Sequence, residues 1–375
     1  MRIKRVALLG CTGSIGNNAI KVLRQHKDEF KLALIANASN ITGLKKISDE
    51  FEVEIAYAAC GYFVKNGKRM PFDPNFLNYH ETYESIDIVI NGISGLAGLR
   101  PTAAVLNANK ILATANKESL VCAGKLINKI IQKTQGIIRP VDSEHSTIWQ
   151  CSGDLNSNIR SLVLTASGGA FRDYDKDMLE KATAKEALKH PNWKMGNKIT
   201  IDCATLVNKG FEIIEAKNLF GITDVDAVIH RESIIHSLVE MKDGALIAGL
   251  SYPDMTIPIQ YALTYPERKT TQVKRLSLAD LGKLTFDKID ENRFPCFTLC
   301  KKASEYGDYA GTVLNAANDV VVEKFLKGEM GFYGIYDVIE NALLKFGLEG
   351  TINSIEDVFG IDKEVREYIL RSFRS

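Results

Sequence analysis

The sequence predicts an α/β protein with three parts: an N-terminal doubly wound, Rossmann-like domain, an α+β catalytic domain and a C-terminal helical domain. Three observations predict this fold. An apolar run at 4–10 enters a glycine-rich turn and opens an alternation of strand-like and helix-like segments, as in a parallel sheet. Strand-like runs at 225–251 are split by a hairpin signal at 242–244. Residues 296–375 show only helical periodicity.

Length and composition bound the domain count. The chain has 375 residues, of which 45% are hydrophobic, enough for two or three separate cores. We expect a nucleotide-binding domain at 1–145, a catalytic domain that binds metal and substrate at 146–267, a linker at 268–295 and a helical domain at 296–375. A polar segment at about 168–198 is expected to form a flap of the catalytic domain.

Charge and cysteine usage narrow the partners and the compartment. The 47 basic and 46 acidic residues leave a net charge of +1 without a basic run, so we expect no nucleic-acid partner. No apolar segment has the length that crosses a membrane and no leader-like segment opens the chain, so we expect a cytoplasmic protein without a membrane partner. The seven cysteines are odd in number and scattered, which is typical of reduced thiols.

The first strand-like run enters Gly10-Cys11-Thr12-Gly13-Ser14-Ile15-Gly16, and a helical pattern follows. Glycines let the backbone approach a pyrophosphate, which the N–H groups at a helix start attract. The turn therefore predicts a dinucleotide site, with an ordinary structural turn as the alternative. The second strand-like run ends in Asn37-Ala38-Ser39-Asn40, without the acid that bonds a ribose 2′-hydroxyl, which favours NADP. Lys45 and Lys46 follow, whereas the loop contains no arginine.

Two carboxylates, Asp142 and Glu144, follow the apolar run at 137–140. If the segment is extended there, side chains at i and i+2 leave the same face and the two acids converge. One further acid would then complete a site for a hard divalent cation such as Mg²⁺ or Mn²⁺. The alternative is an Asp helix cap followed by a solvated Glu, because the residues after Asp142 also have a helical pattern.

Further candidates lie at predicted strand ends and helix starts. Lys117 follows a strand at the carboxyl edge, where open α/β sheets bind ligands. The turn at 167–169, Ser-Gly-Gly, can present N–H groups and a hydroxyl to a phosphate, although it is also an ordinary turn. Asn208 and Lys209 start a helix and suit a phosphate. Glu212 on the same helix is a candidate third acid, with a solvated helix face as the alternative.

Taken together, several motifs resemble those of the 1-deoxy-D-xylulose 5-phosphate reductoisomerase family. The motifs occur in order along the chain: GCTGSIG (10–16), ANKESLV (115–121), PVDSEHS (140–146), LTASGGAFR (164–172), HPNWKMG (190–196) and CATLVNKGFEIIEA (203–216). The resemblance implies an NADPH- and divalent-metal-dependent enzyme, usually a homodimer. Its substrate is a small phosphorylated sugar, converted to 2-C-methyl-D-erythritol 4-phosphate for isoprenoid synthesis. The family is thought to rearrange the carbon skeleton by retro-aldol cleavage and recombination before NADPH reduces the new aldehyde.

The resemblance also implies roles for individual residues. The implied metal ligands are Asp142, Glu144 and Glu212, which with Lys117 form the catalytic set. The implied cofactor contacts are Thr12, Gly13, Ser14, Ile15, Ala36, Asn37, Ser39, Asn116, Glu118 and Gly196. The implied substrate contacts are Lys117, Ser143, Glu144, Ser167, His190, Trp193, Cys203, Asn208, Lys209 and Glu212.

Two positions depart from the family pattern. Asn37-Ala38-Ser39 stands where the family commonly has Gly-Lys-Asn, so a cation that would meet the 2′-phosphate is missing. Cys203 stands where the family has a serine that contacts the phosphate. Two other functions remain open from the residues: a phosphorylating semialdehyde dehydrogenase, which requires a nucleophilic cysteine such as Cys203 or Cys151, and a non-catalytic NADPH-binding protein, for which the acids would be superfluous.

Overall fold

The computed structural model describes residues 2–153, 158–193 and 195–373, so Lys194 of the predicted flap lies outside the described residues. The described chain forms two compact units. The first unit comprises Met1–Ser119, Ile127–Ser146 and Asp254–Val273, and the second comprises Leu120–Leu126, Thr147–Pro253 and Lys274–Ser375.

The strands are β1 (Lys4–Leu9), β2 (Phe30–Asn37), β3 (Ile55–Ala58), β4 (Tyr62–Lys65), β5 (Lys68–Arg69), β6 (Ile88–Asn91), β7 (Ile111–Thr114), β8 (Ile137–Pro140), β9 (Ile159–Ala166), β10 (Val225–Ile229), β11 (Ile235–Met241), β12 (Leu246–Leu250) and β13 (Asp287–Lys288). The helices are α1 (Ser14–Gln25), α2 (Ile41–Phe51), α3 (Leu99–Asn107), α4 (Lys117–Lys133), α5 (Ser143–Ser152), α6 (Lys176–Glu180), α7 (Ala184–Ala187), α8 (Asn197–Ala204), α9 (Val207–Phe220), α10 (Thr256–Thr264), α11 (Leu278–Leu281), α12 (Pro295–Ala303), α13 (Asp308–Leu326), α14 (Phe332–Phe346) and α15 (Ile355–Ser372).

The first unit is built on an eight-stranded sheet in the order β5-β4-β3-β2-β1-β6-β7-β8. Strands β3, β2, β1, β6, β7 and β8 are parallel, and β4 and β5 extend the edge as antiparallel strands. The central strands are apolar and fully buried, as in Val6–Leu9 of β1, because helices cover both faces of such a sheet. The predicted doubly wound sheet is therefore confirmed.

The second unit contains a mixed five-stranded sheet in the order β12-β11-β9-β10-β13. Strands β9 and β10 are parallel, whereas β11 is antiparallel to β9 and β12. The predicted hairpin at 242–244 joins β11 to β12, where Gly244 takes a positive φ of 88°. Helices α12 to α15 follow and pack on one another around α13, which confirms the predicted helical C-terminal part.

The segment 268–295, expected to be a linker, contains short regular elements. Its first residues, to Val273, belong to the first unit together with α10, which packs on α1, β7 and β8. The remainder contains the short helix α11 and the short strand β13, which pairs with β10. The sequence missed β13 because a two-residue edge strand leaves too short a pattern to recognise.

Candidate active site

The glycine turn joins β1 to the start of α1 in the first unit. Gly10 has a φ of 79°, and a Cβ there would lie 2.5 Å from the carbonyl oxygen of Gly92. At Gly16 a Cβ would lie 2.4 Å from the carbonyl oxygen of Gly10. Only glycine fits positions 10 and 16, which leaves a backbone-lined cradle at the N-terminus of a helix of the kind that binds phosphate.

The loop after β2 is tied to this turn. The Asn37 side-chain amide donates to the Thr12 hydroxyl at 3.3 Å and to the Asn40 carbonyl at 2.7 Å. Its Oδ1 is buried and has no hydrogen-bond donor among the described residues. The carboxyl ends of β1 and β2 therefore present a preformed surface with one unsatisfied acceptor, which fits a dinucleotide.

Asn116 occupies the N-cap of α4. Its side-chain oxygen accepts the Ser119 N–H at 3.1 Å, and its nitrogen donates to the carbonyls of Ile93 and Gly95 at 2.8 Å each. The same nitrogen lies 3.2 Å from a carboxylate oxygen of Glu118. The side chain of Asn116 thus fastens the start of α4 to the loop after β6, which positions the next residue, Lys117.

Lys117 and Asp142 form a nearly buried ion pair, with Nζ 2.8 Å from a carboxylate oxygen. Burial alone would raise the pKa of Asp142, but the positive charge of Lys117, then that of His145, and the hydrogen bond that Lys117 donates outweigh burial and hold the pKa well below its usual range. Asp142 is therefore ionised, as a metal ligand must be. The Ser143 hydroxyl donates to the Glu144 carboxylate at 2.5 Å.

Of the two geometries considered for Asp142 and Glu144, the extended one does not occur. Strand β8 ends at Pro140 and α5 begins at Ser143, and the Asp142 carbonyl accepts the Ser146 N–H at 2.8 Å. The helical alternative describes the backbone correctly. Glu144 lies in the first turn of α5, and its carboxyl group still comes within hydrogen-bonding distance of Asp142.

In the second unit, the Ser-Gly-Gly turn follows β9. Gly168 and Gly169 have positive φ angles of 82° and 66°, and a Cβ on Gly169 would lie 2.5 Å from the Cys203 carbonyl oxygen. The Ser167 hydroxyl oxygen lies 2.9 Å from Nε2 of His190. The turn is thus packed directly against the end of α8, which carries the half-exposed Cys203, and is bonded to the HPNWKMG segment.

Helix α9 supplies the other predicted phosphate and acid residues. Asn208 donates to the Glu212 carboxylate at 2.5 Å, and Lys209 pairs with the second oxygen of the same carboxylate. All three side chains are buried, as is Glu215. The solvated-face alternative for Glu212 is therefore wrong, because α9 is covered almost all round.

The structure also gives contacts for Arg172, to which the sequence assigned no role, and for Trp193, an expected substrate contact. Arg172 donates to the carbonyls of Ser167 and Arg231 at 3.2 Å each. These two bonds fix the position of the Ser-Gly-Gly turn at 167–169. Trp193 is half-buried, with its ring centre 6.3 Å from that of His236. Arginine after a Ser-Gly-Gly turn was visible in the sequence, but its two carbonyl partners lie in different segments and leave no local signal.

Comparison with known proteins supports one family along the whole chain. Residues 6–124 match the model of 1-deoxy-D-xylulose 5-phosphate reductoisomerase, residues 138–220 match that of its C-terminal domain, and residues 250–368 match that of the DXP reductoisomerase C-terminal domain. The chain is 41% identical to the 1-deoxy-D-xylulose 5-phosphate reductoisomerase of Bacillus pumilus (strain SAFR-032), covering 98% of this chain and 99% of the relative. It is 42% identical to that of Geobacillus sp. (strain WCH70), with the same coverage.

Solved structures agree with the relatives. A crystal structure of DOX-P reductoisomerase in complex with NADPH, fosmidomycin and magnesium has a TM-score of 0.91 at 34% identity, covering 99% of this chain and 98% of that one. The reductoisomerase of Zymomonas mobilis in complex with NADPH has a TM-score of 0.88 at 31% identity, with 100% of both chains covered.

Proposed function

The chain belongs to the 1-deoxy-D-xylulose 5-phosphate reductoisomerase family, and we propose how its own residues carry out the family's reaction. That reaction is the NADPH- and divalent-metal-dependent rearrangement and reduction of 1-deoxy-D-xylulose 5-phosphate to 2-C-methyl-D-erythritol 4-phosphate, in the non-mevalonate route to isoprenoid precursors. The observation that carries the assignment is similarity over the full length, 98% of this chain at 41% identity, rather than over the nucleotide-binding part alone. A semialdehyde dehydrogenase and a non-catalytic binding protein are thereby set aside.

We assign Asp142, Glu144 and Glu212 as the ligands of a Mg²⁺ or Mn²⁺ ion. The donor set fits a hard cation, since all three are carboxylates. The low pKa of Asp142 keeps it ionised, and the adjacent Glu144 carboxyl supplies a second oxygen. The buried Glu212 is charge-balanced by Lys209 in this structure.

The cofactor residues follow from the glycine cradle and the loop after β2. The backbone of the turn would hold the pyrophosphate, and the loop would hold the adenosine ribose. The proposed NADPH contacts are Thr12, Gly13, Ser14, Ile15, Ala36, Asn37, Ser39, Asn116, Glu118 and Gly196. Of these, Asn116 acts by positioning, because its amide already caps α4.

We propose that Ser167, Asn208, Lys209 and Cys203 anchor the substrate phosphate. Ser167 presents a hydroxyl on a turn whose glycines expose backbone N–H groups, and Cys203 lies at the end of the helix against which that turn packs. Asn208 and Lys209 add an amide and a cation at the start of α9. Binding energy from a phosphate remote from the reacting carbons orients the fragments and keeps them together.

Asp142, Glu144 and Glu212 would hold a divalent metal that would act as a Lewis acid on the substrate, and bound NADPH would supply the hydride. Lys117, fixed by Asp142 and by the Asn116 cap, places a cation beside the substrate, and Ser143 offers a hydroxyl next to it. His190 and Trp193 belong to the flap, whose closure excludes water from the reacting groups.

The assay that tests this function follows NADPH oxidation with 1-deoxy-D-xylulose 5-phosphate, with Mg²⁺, with Mn²⁺ and with excess chelator. We expect turnover with either metal, none with chelator, and recovery when metal is restored. A substrate-independent loss of NADPH, or turnover that survives the chelator, would contradict the proposal.

The domain roles, the assembly and the compartment complete the proposal. We assign NADPH binding to residues 1–145, catalysis to 146–267 and the helical domain to 296–375, joined by 268–295. A homodimer is supported by the edge strand β12, on which Leu246 and Leu250 are exposed, since such edges tend to be covered. Light scattering would test it. The seven cysteines are all thiols, which favours a reducing compartment such as the cytoplasm. Among the described residues, no helix is long and apolar enough to cross a membrane.

A further inference from the structure

The antiparallel edge of the first sheet touches the loop that follows β2. The N–H of Ala59 donates to the Asn37 carbonyl at 3.1 Å, and the N–H of Cys60 donates to the Ala38 carbonyl at 3.0 Å. These bonds place the turn between β3 and β4 beside the end of the second parallel strand. In dinucleotide-binding folds, the residues at this strand end distinguish a ribose 2′-hydroxyl from a 2′-phosphate.

Two cations gather on one aromatic ring at this point. Tyr62, the first residue of β4, has the Arg69 guanidinium carbon 4.8 Å and the Lys45 ammonium nitrogen 5.6 Å from its ring centre. Arg69 also donates to the Gly61 carbonyl at 2.6 Å, which ties the guanidinium to the turn. The ring face attracts both cations and holds them near each other despite their repulsion.

Both of these cations are available to an anion. Within the described ranges 2–153, 158–193 and 195–373, neither Lys45 nor Arg69 has a carboxylate within 4 Å. By contrast, Arg5 and Lys31 of the same sheet share the Glu54 carboxylate. Two unneutralised charges beside one turn favour a ligand with more than one negative charge.

The neighbouring Asn37 supplies the second, independent feature. Its amide orientation is fixed, because the Asn40 carbonyl accepts the bond at 2.7 Å and only the nitrogen can donate it. Oδ1 is then an acceptor on a side chain that is only 9% exposed, without a donor among the residues described. A ribose hydroxyl would satisfy this acceptor. Unlike the aspartate found in NAD-specific sites, Asn37 carries no negative charge that would repel a phosphate.

We propose that Lys45 and Arg69, held on Tyr62, bind the 2′-phosphate of NADPH and set this chain's preference over NADH, while Asn37 accepts a ribose hydroxyl. The pair replaces the cation that the loop at 37–39 lacks. The proposal rests on the proposed NADPH-dependent function and deepens it by naming the residues that select the cofactor.

The test is equilibrium binding by calorimetry, which needs neither substrate nor metal. The probes are NADPH, NADH, adenosine 2′,5′-bisphosphate and adenosine 5′-monophosphate. The variants are Lys45→Gln, Arg69→Gln and their double. Lys68→Gln is the matched control, because Lys68 is an exposed neighbour on β5 whose side chain leaves the opposite face of the strand. Loss of one charge-assisted bond should weaken NADPH and the bisphosphate about tenfold and leave NADH and the monophosphate unchanged.

Tyr62 acts as a positioning residue and has its own control. Tyr62→Phe keeps the ring and should keep the ratio of NADH to NADPH dissociation constants, whereas Tyr62→Leu should lower that ratio. The melting temperature of each variant reports whether the sheet edge is intact. If a variant unfolds, Arg69→Lys takes its place, because lysine keeps the positive charge but lacks the paired N–H donors of the planar guanidinium.

The outcomes separate this inference from the proposed function. If the wild-type enzyme turns over 1-deoxy-D-xylulose 5-phosphate with NADPH but the double variant keeps the wild-type ratio of dissociation constants, the inference fails and the function stands. Equal weakening of NADPH and NADH also overturns the inference, because it would reflect a distorted site. A wild-type protein that oxidises no NADPH in the presence of substrate and metal would overturn the proposed function itself.

Discussion

Nε2 of His190 lies 2.9 Å from the hydroxyl oxygen of Ser167, and the other ring nitrogen accepts two backbone N–H groups. Those donors, Asn192 at 3.2 Å and Trp193 at 2.9 Å, leave no room for a proton on Nδ1. The proton of the neutral ring is therefore on Nε2 and is donated to Ser167. The Ser167 hydroxyl proton is then directed elsewhere, and a phosphate oxygen is the acceptor that the proposed function supplies.

The first prediction tests whether Ser167 and His190 act through one bond. Ser167→Ala should lower kcat/KM about tenfold or more, because a hydrogen bond to a charged phosphate is lost. His190→Ala should also lower it, since the hydroxyl is then no longer oriented. The double variant should lose less than the product of the two single losses. Independent, multiplicative losses measured in steady-state kinetics would contradict the coupling.

The second prediction concerns pH. Burial, and next the charge of Arg172, lower the pKa of His190 from 6.5 to about 4. As the pH falls below about 6.5, the unfolded chain binds a proton at His190 more readily than the folded protein does. His190 therefore has no effect of this kind on stability above about pH 6.5, and it destabilises the folded state increasingly as the pH falls towards 4. His190→Gln lacks this penalty. The difference in melting temperature, wild type minus His190→Gln, should therefore shrink between pH 7 and pH 5.

A constant difference over that interval would mean that the His190 pKa is not lowered on folding. His80→Gln is a suitable control, because it makes the same substitution at an exposed position.

The third prediction concerns the carboxylates. Asp142→Asn, Glu144→Gln and Glu212→Gln should each abolish metal-dependent turnover and weaken Mn²⁺ binding, measured by calorimetry, while leaving the NADPH dissociation constant largely unchanged. Glu349→Gln, an exposed acid, is the control. Near-normal turnover at low metal in any one variant would remove that residue from the ligand set.

Glu212→Gln should carry an additional stability cost in the absence of metal. Lys209 and Glu212 are 3% and 1% exposed, so the substitution removes one charge of a buried ion pair. Breaking a buried pair in this way costs about 3–5 kcal/mol. Urea unfolding of the metal-free protein would measure the cost, and an unchanged midpoint would show that water reaches Lys209.

The sequence predicted those features that local patterns encode. The glycine turn was recognisable because Gly10 and Gly16 occupy positions that no side chain fits. The sequence argument brought Asp142 and Glu144 together on one face of an extended segment, whereas Glu144 lies in the first turn of a helix. A helix start and a strand end share the same short polar pattern, so the sequence could not distinguish them. The burial of Glu212 was not predictable from spacing, because nothing in α9 itself records that other elements cover its polar face.

Contacts distant in sequence were beyond local reasoning altogether. Ser167 and His190 are 23 residues apart, and Tyr62 meets Lys45 only because a hairpin returns along the edge of the sheet. No periodicity marks such pairs. The sequence therefore showed only that the loop at 37–39 lacks a cation, whereas in the folded chain Arg69 is bonded to the turn that contacts this loop.

The last prediction uses the departure at Cys203. Cys203 is half-exposed at the end of α8. A Cβ on Gly169 would collide with the Cys203 backbone carbonyl, so Cys203 borders the proposed phosphate site. A thiol donates a weaker hydrogen bond than a hydroxyl. Cys203→Ser should therefore lower the KM for 1-deoxy-D-xylulose 5-phosphate by up to several-fold, the equivalent of about 1 kcal/mol for one ordinary hydrogen bond.

Stability distinguishes the two environments available to Cys203. A hydroxyl that faces the phosphate site is solvated in the free enzyme, and the melting temperature of Cys203→Ser should equal that of the wild type. A hydroxyl buried among apolar atoms would be unsatisfied and would lower the melting temperature. Cys300→Ser provides the comparison, because Cys300 is fully buried on α12 and its variant should melt at a lower temperature with no change in KM. If Cys203→Ser behaves like Cys300→Ser, Cys203 does not contact the phosphate.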